Sequence, residues 1–451
     1  MAGPADAAPT DATHQFALLG QRRFGPFFWT LFCGASNDNL FKFAFTVLVT
    51  YQLSIDWLPP SLAGLAIGAV FILPFLLFSA TSGQLADKYD PVALMRWVKN
   101  FEIAIMALAA WGFASHQVAT LLGCIFLMGV HSTLFGPVKF AYLPRVLNAQ
   151  ELTGGNGMVE MGTFVAILLG NVAGGLLVAL PEVGTTSVSL ACLALAALGR
   201  FASALIPPGR ALAPLLRIHW NPFTETWRNL RLARSNPSVF HTLLGISWMW
   251  FFGATFLSQF PSFAKEVLHG DAHVASLLLV LFSLGVGTGA LLCERLSRRD
   301  VEIGLVPLGA IGMSVFCIDL FFAVRHLPAA LPMDISAFVG HPAHWRVMAD
   351  LALLSLFTGL YSVPMYAWVQ LTSHQDHCAR LIAATNILNA LFMIASALIA
   401  GALLGAGLTI PEVMLCTGLA NAVVTGIIFW LEPAYPRHFI SWLCALCKHP
   451  A

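Results

Sequence analysis

Charge is scarce in this sequence: only 10% of its 451 residues are Asp, Glu, Lys or Arg, where soluble domains carry about 25%. That shortage excludes an ordinary water-facing surface, and with it a string of soluble catalytic domains. The usual catalytic signatures are missing too. No G-x-x-x-x-G-K-[ST] occurs, so no ATP-hydrolysing P-loop is expected. There is no G-x-S-x-G elbow and no H-E-x-x-H pair. No His is followed at the fifth position by Asp, which removes the glycerolipid acyltransferase signature. The chain is therefore not expected to be an enzyme or to need a cofactor. Cysteine number is misleading: Cys33, Cys124, Cys192, Cys293, Cys317 and Cys416 all fall inside apolar runs, where a thiol behaves as a small hydrophobe. Cys444 and Cys447 have metal-ligand spacing but stand alone in a short tail.

What is abundant is apolar length. Hydrophobic residues make up 58% of the chain and the mean hydropathy is +0.78. A helix crossing about 30 Å of hydrocarbon needs about 20 apolar residues. Such runs fall near 26–52, 61–83, 94–114, 118–136, 158–180 and 186–206, and again near 239–262, 274–293, 302–324, 347–370, 381–405 and 412–431. The expected architecture is all-α, with 12 transmembrane helices in two six-helix bundles at 24–206 and 239–431. A linker at 207–238 joins them, between a tail at 1–23 and another at 432–451. The N-terminal tail has no charged-then-apolar signal peptide, so the first run is read as a retained span.

Basic residues orient the spans. Placing the N-terminus inside puts most of the 23 lysines and arginines, Lys99 among them, in inner loops and tails. Lys265, Arg325 and Arg346 are left outside, and Lys42 and Arg200 lie within spans. Both termini are thus expected in the cytoplasm. In the linker, arginines are interleaved with Trp220, Phe223, Trp227 and Leu230, which suits either a helix on the inner membrane surface or a plain connector rich in topology signals. The loop near 325–346 holds His326, His341 and His344, but Pro328, Pro332 and Pro342 break it, and a solvated loop is expected.

Ionisable groups inside spans are costly and usually functional. The first span contains Asn37-Asp38-Asn39-Leu40-Phe41-Lys42. At about 1.5 Å per residue, Asp38 lies roughly 16 Å into a helix beginning near Phe27, close to mid-bilayer. Asp38 and Lys42 stand at i and i+4, the acid first, which favours an intrahelical pair. A buried pair adds little stability over apolar residues, so a substrate site is the stronger reason for it. Glu102, Lys139 and Glu160 are further candidates, Lys139 and Glu160 either as partners at an inner gate or as side chains that snorkel to the interface. Gly162, Gly170, Gly174 and Gly175, like Gly285, Gly287 and Gly289, would let helix backbones approach closely.

Two resemblances add to this reading. Gly83-Gln84-Leu85-Ala86-Asp87-Lys88 resembles the major facilitator loop G-x-x-x-D-[RK]-x-G, which implies a gating latch at Gly83, Asp87 and Lys88. Asp90 and Pro91 depart from that pattern, and the equivalent later loop carries Glu294 and Arg295. The segments Ser36–Lys42, Gly136-Pro137-Val138-Lys139-Phe140, Glu151–Gly157 and Val159-Glu160-Met161-Gly162-Thr163 are similar to the bacterial lysophospholipid transporter family of the major facilitator superfamily. That resemblance implies a flippase carrying lysophospholipid from the outer to the inner leaflet of the bacterial inner membrane. Asn37, Asp38, Asn39, Lys42, Lys139 and Glu160 would bind substrate, and a separate acyltransferase would re-acylate the product. The residues alone also admit a proton-coupled exporter of amphipathic drugs or small metabolites, with Asp38 as the proton site, or a non-transporting scaffold for a lipid-remodelling enzyme.

Overall fold

In a computed structural model, the structure describes residues 14–51, 60–211, 213–298, 300–325, 327, 333–373 and 378–448. His326, Pro328 and Pro332, the first thirteen residues of the N-terminal tail and the side chain of Cys447 lie outside that description. Among the described residues twelve long helices follow one another: α1 (Gly25–Tyr51), α2 (Pro60–Lys88), α3 (Pro91–Ala114), α4 (Val118–Val146), α5 (Ala149–Val178), α6 (Gly184–Ala204), then α8 (Pro237–Ser262), α9 (Ala272–Leu296), α10 (Leu305–Arg325), α12 (Trp345–Thr372), α13 (Cys378–Gly405) and α14 (Ile410–Leu431). Three shorter ones are α7 (Pro222–Arg234), α11 (Ile335–Gly340) and α15 (Ala434–Lys448). Ten of the long helices are apolar enough along their length to cross a membrane. The two that fall short on composition, α1 and α3, carry Asp38 and Lys42, and Lys99 and Glu102.

Local sequence sets where these helices start. Asp90 caps α3 through Val92 N, with Pro91 at the first turn. Asn148 and Glu151 form a reciprocal capping box on α5. Asn236 followed by Pro237 opens α8. Each device satisfies orphan amides where the chain leaves water. Helix α4 runs unbroken through Gly136-Pro137 to Val146, beyond the apolar run near 118–136. The reason lies in packing: Gly136 abuts the Asn386 side chain of α13, so neighbouring helices support the proline turn.

Small residues decide which helices touch. Gly174 of α5 faces the Leu40 carbonyl of α1, and a Cβ there would come within 2.5 Å of it. Gly309 of α10 meets Tyr361 of α12 in the same way. The first six long helices pack mainly among themselves, as do the last six, and the pairs α5–α9 and α2–α13 join the two sets.

Candidate functional site

The charged residues of α1 meet charges from α3 and α4 inside the first set of helices. Ser132 of α4 donates a hydrogen bond to one Asp38 oxygen, and the other lies 3.7 Å from His131 Nδ1. His131 Nε2 stands 3.2 Å from Glu102 Oε2 on α3. Glu102 also receives Lys99 Nζ at 2.6 Å and Asn37 Nδ2 at 2.7 Å. All these side chains but Ser132 are buried. An isolated charge at this depth would cost several kcal/mol, and the network offsets each charge with a neighbour.

Lys42 and Lys139 stand apart from the network. Each ammonium packs on an aromatic face, Lys42 Nζ at 4.8 Å from the Phe71 ring centre and Lys139 Nζ at 4.8 Å from that of Phe140. Among the described residues neither has a carboxylate within ion-pair distance. Glu160 of α5 is buried and accepts a 3.4 Å bond from Ser362 of α12.

These groups border one cavity of about 1670 Å³ between the two sets of helices. Asp38, Asn39, Lys42, Lys139 and Glu160 line it on one side, and Trp250, Tyr366, Asn386 and Asn389 on the other. The remaining wall is largely apolar, with Phe43, Phe71, Phe75, Leu168 and Leu257. The cavity reaches Lys265, Asp271 and His273 at the end of the molecule opposite the termini. Asp271 caps α9 there. The hydrogen bond from His273 and the amides of Val274 and His273 hold its carboxyl below the usual range.

At the end that carries the termini the two sets of helices meet. Arg380 Nε of α13 binds Asp87 Oδ2 of α2 at 2.9 Å, with Asp87 fully buried. Gly83, one turn earlier, lets α13 come so close that a Cβ would lie 2.8 Å from the Ala383 side chain. Asn156 of α5 donates to Gln370 of α12 at 2.6 Å, and Gln370 donates to the Phe140 carbonyl at 3.1 Å. Phe140 stacks on Tyr366 with ring centres 4.5 Å apart. Glu294 of α9 is buried and accepts from the Gln15 amide at 3.0 Å.

Several expectations change in this geometry. Asp38 and Lys42 share the cavity but are not an ion pair: Asp38 is engaged by Ser132 and His131, and Lys42 by Phe71. Asn37 points away from the cavity lining, because its amide is needed by buried Glu102. Lys99 is no loop charge; it lies within α3, buried beside Glu102. The base that meets Asp87 is Arg380, while Lys88 lies over the Tyr89 ring at 5.8 Å and Arg295 is exposed. Asp319 and Arg346 form a pair at the molecule's surface, with Arg346 Nη2 at 2.5 Å. Of the outer-loop histidines, His344 has its ring nitrogen 3.0 Å from the Phe338 carbonyl. Sequence reasoning missed His131, although an ionisable residue in the apolar run of α4 is the same signal that marked Asp38. Arg380 was missed because nothing local marks a basic residue that reaches across to a buried acid of another helix.

Comparison with other proteins follows the same lines. The lysophospholipid transporter LplT of Escherichia fergusonii is 26% identical over 345 residues, covering 75% of this chain and 78% of the relative. The LplT of Serratia proteamaculans is 26% identical over 344 residues, covering 75% and 77%. Among solved structures, the transporter FucP in its outward conformation superposes with a TM-score of 0.69 at 13% identity, covering 91% of this chain and 98% of FucP. A bacterial homologue of the iron transporter ferroportin in an outward-facing state gives 0.62 at 15% identity, over 93% and 99%. The sequence profile of one family matches residues 27–390. With twelve long helices in that arrangement, the chain is a multi-pass membrane protein that belongs to the Major Facilitator Superfamily.

Proposed function

We propose that this protein is a lysophospholipid flippase of the bacterial inner membrane, with both termini in the cytoplasm. It would move its substrate from the outer to the inner leaflet by alternating access between bundles 24–206 and 239–431, linked by 207–238. One observation carries the reading: a single cavity holds two lysines that, among the described residues, have no carboxylate within ion-pair distance, near two carboxylates, and its remaining wall is largely apolar. A lysolipid has the complementary chemistry, a phosphate and a polar or cationic headgroup on one acyl chain. The phosphate goes to Lys42 and Lys139, the headgroup to Asp38, Asn39 and Glu160, and the chain to the aromatic and aliphatic wall. The names of the relatives, lysophospholipid transporters, support the cargo. The Asp87–Arg380 contact serves as the cytoplasmic latch, with Gly83 and the Glu294 region completing it. Re-acylation falls to a separate acyltransferase.

A second reading is favoured by His131, which bridges two carboxylates and could hand a proton to Asp38 at the cavity wall. On that reading the protein is a proton-coupled exporter of amphipathic drugs or small metabolites. Reconstitution separates the two. Labelled lysophosphatidylethanolamine is followed between leaflets of proteoliposomes, with and without a pH gradient. The flippase reading expects movement well above protein-free vesicles in both conditions. Folded protein that leaves the lysolipid in its original leaflet sinks it; gradient-driven export of amphipathic dyes in the same vesicles would establish the second.

A further inference from the structure

The segment between the two sets of helices is fastened to the closed end of the molecule. Ala213 N donates to the Asp87 carbonyl at 3.0 Å. His219 N donates to Gln84 Oε1 at 2.8 Å, and Gln84 Nε2 returns a bond to the His219 carbonyl at 3.2 Å. Helix α7 buries Glu225, Asn229 and Ala233 and packs against both α2 and α13, the helices that Asp87 and Arg380 tie together. The linker therefore spans the closure from one side to the other.

Its other face is open and has a definite chemistry. Trp220, Phe223 and Trp227 are 72%, 78% and 58% exposed. Arg217, Arg231 and Arg234 are exposed beside them, and among the described residues none has an acid partner. The only acid of the segment, Glu225, is taken by Arg228 at 2.7 Å. Span α8 begins at Pro237, directly after α7, so the linker lies at the level where the chain enters the membrane. Aromatic rings beside arginines at that level match the boundary between acyl chains and phosphates, with rings toward the chains and guanidinium groups toward the headgroups.

We infer that anionic phospholipid headgroups of the leaflet on the termini side bind Arg217, Arg231 and Arg234, and that this seating of α7 on the bilayer stabilises the closed state of the end it spans. Because binding and closure share one element, each favours the other to the same extent. A membrane poor in anionic lipid would then release the closure more readily.

Hydrogen exchange of the full chain in nanodiscs tests this without reference to any substrate. Phosphatidylcholine discs are compared with discs of equal parts phosphatidylcholine and phosphatidylglycerol. Exchange across 213–234 should slow by about fivefold or more in the anionic discs, with parallel slowing at 83–88 and 380–385. Raised salt should shrink the difference. The surface variant Arg217→Gln/Arg231→Gln/Arg234→Gln should exchange like wild type in neutral discs and lose the anionic effect. Equal exchange of the wild type in the two discs overturns the proposal, and is also what a soluble acidic partner on this face would give. An anionic effect that persists in the variant assigns it to other residues. Slowing at α7 alone, with 83–88 and 380–385 unchanged, overturns the coupling. Should the variant fail to fold, the wild-type comparison still decides.

Discussion

At the residue scale the cavity separates two kinds of charge. Lys99 and Glu102 neutralise each other at 2.6 Å, buried, while Lys42 and Lys139 border the cavity, each packed on an aromatic ring and, among the described residues, with no carboxylate within ion-pair distance. Different substitutions should therefore fail in different ways. Lys99→Met leaves Glu102 without its cation and should destabilise the protein by about 3–5 kcal/mol, seen as a lower unfolding midpoint. Adding Glu102→Gln should recover most of that loss, and an additive double variant would contradict the pairing. Lys42→Ala and Lys139→Ala should leave the midpoint nearly unchanged and slow lysolipid movement by about tenfold or more, since a charge-assisted phosphate contact is worth about 1.5–3 kcal/mol. The sequence showed Asp38 and Lys42 as out-of-place charges, but it could not show their partners. Those come from α4 and α2, and the i, i+4 spacing that favoured a local pair lost to Ser132, His131 and Phe71.

At the element scale, glycines mark where helices meet and polar caps mark where they begin. The spans were legible because each needs a long apolar run, but the ends were not: α4 continues through Gly136-Pro137, and α5 begins at Ala149, ahead of its apolar run near 158. Helices α1 and α3 fail a purely apolar test for the same reason that they matter: they carry buried polar groups whose partners lie within α3 and on neighbouring helices. The contact of α5 with α9 closes one end, and a Cβ on Gly157 would come 2.5 Å from the Ala290 carbonyl. Gly157→Leu should wedge that contact, raising exchange at residues 83–88 and slowing transport by about tenfold or more, while lysolipid binding to the detergent-solubilised protein persists. Arg380→Gln removes the 2.9 Å ion pair with buried Asp87 and should raise exchange in the same segment. Unchanged exchange in both variants would show that the closed end is held elsewhere.

At the scale of the whole molecule, the described residues of a chain with few charges form twelve long helices, and most of the buried charges collect around one cavity and one closed end. The cavity reaches the end opposite the termini, while Asp87–Arg380 and Asn156–Gln370 join the two sets of helices at the terminal end. Composition and apolar run length foretold the long helices, because both follow from the bilayer as solvent. Neither could foretell which end is closed, since closure depends on contacts between residues hundreds of positions apart. The cargo is the central claim, and photolabelling tests it at the site. A lysophosphatidylethanolamine with a diazirine in its chain is irradiated in proteoliposomes and the labelled peptides are sequenced. The account predicts label on cavity-wall segments of α1, α2 and α5, removed by excess unlabelled lysolipid. Label confined to membrane-facing positions such as Leu198, Phe201 and Trp430, and indifferent to that competition, would contradict it.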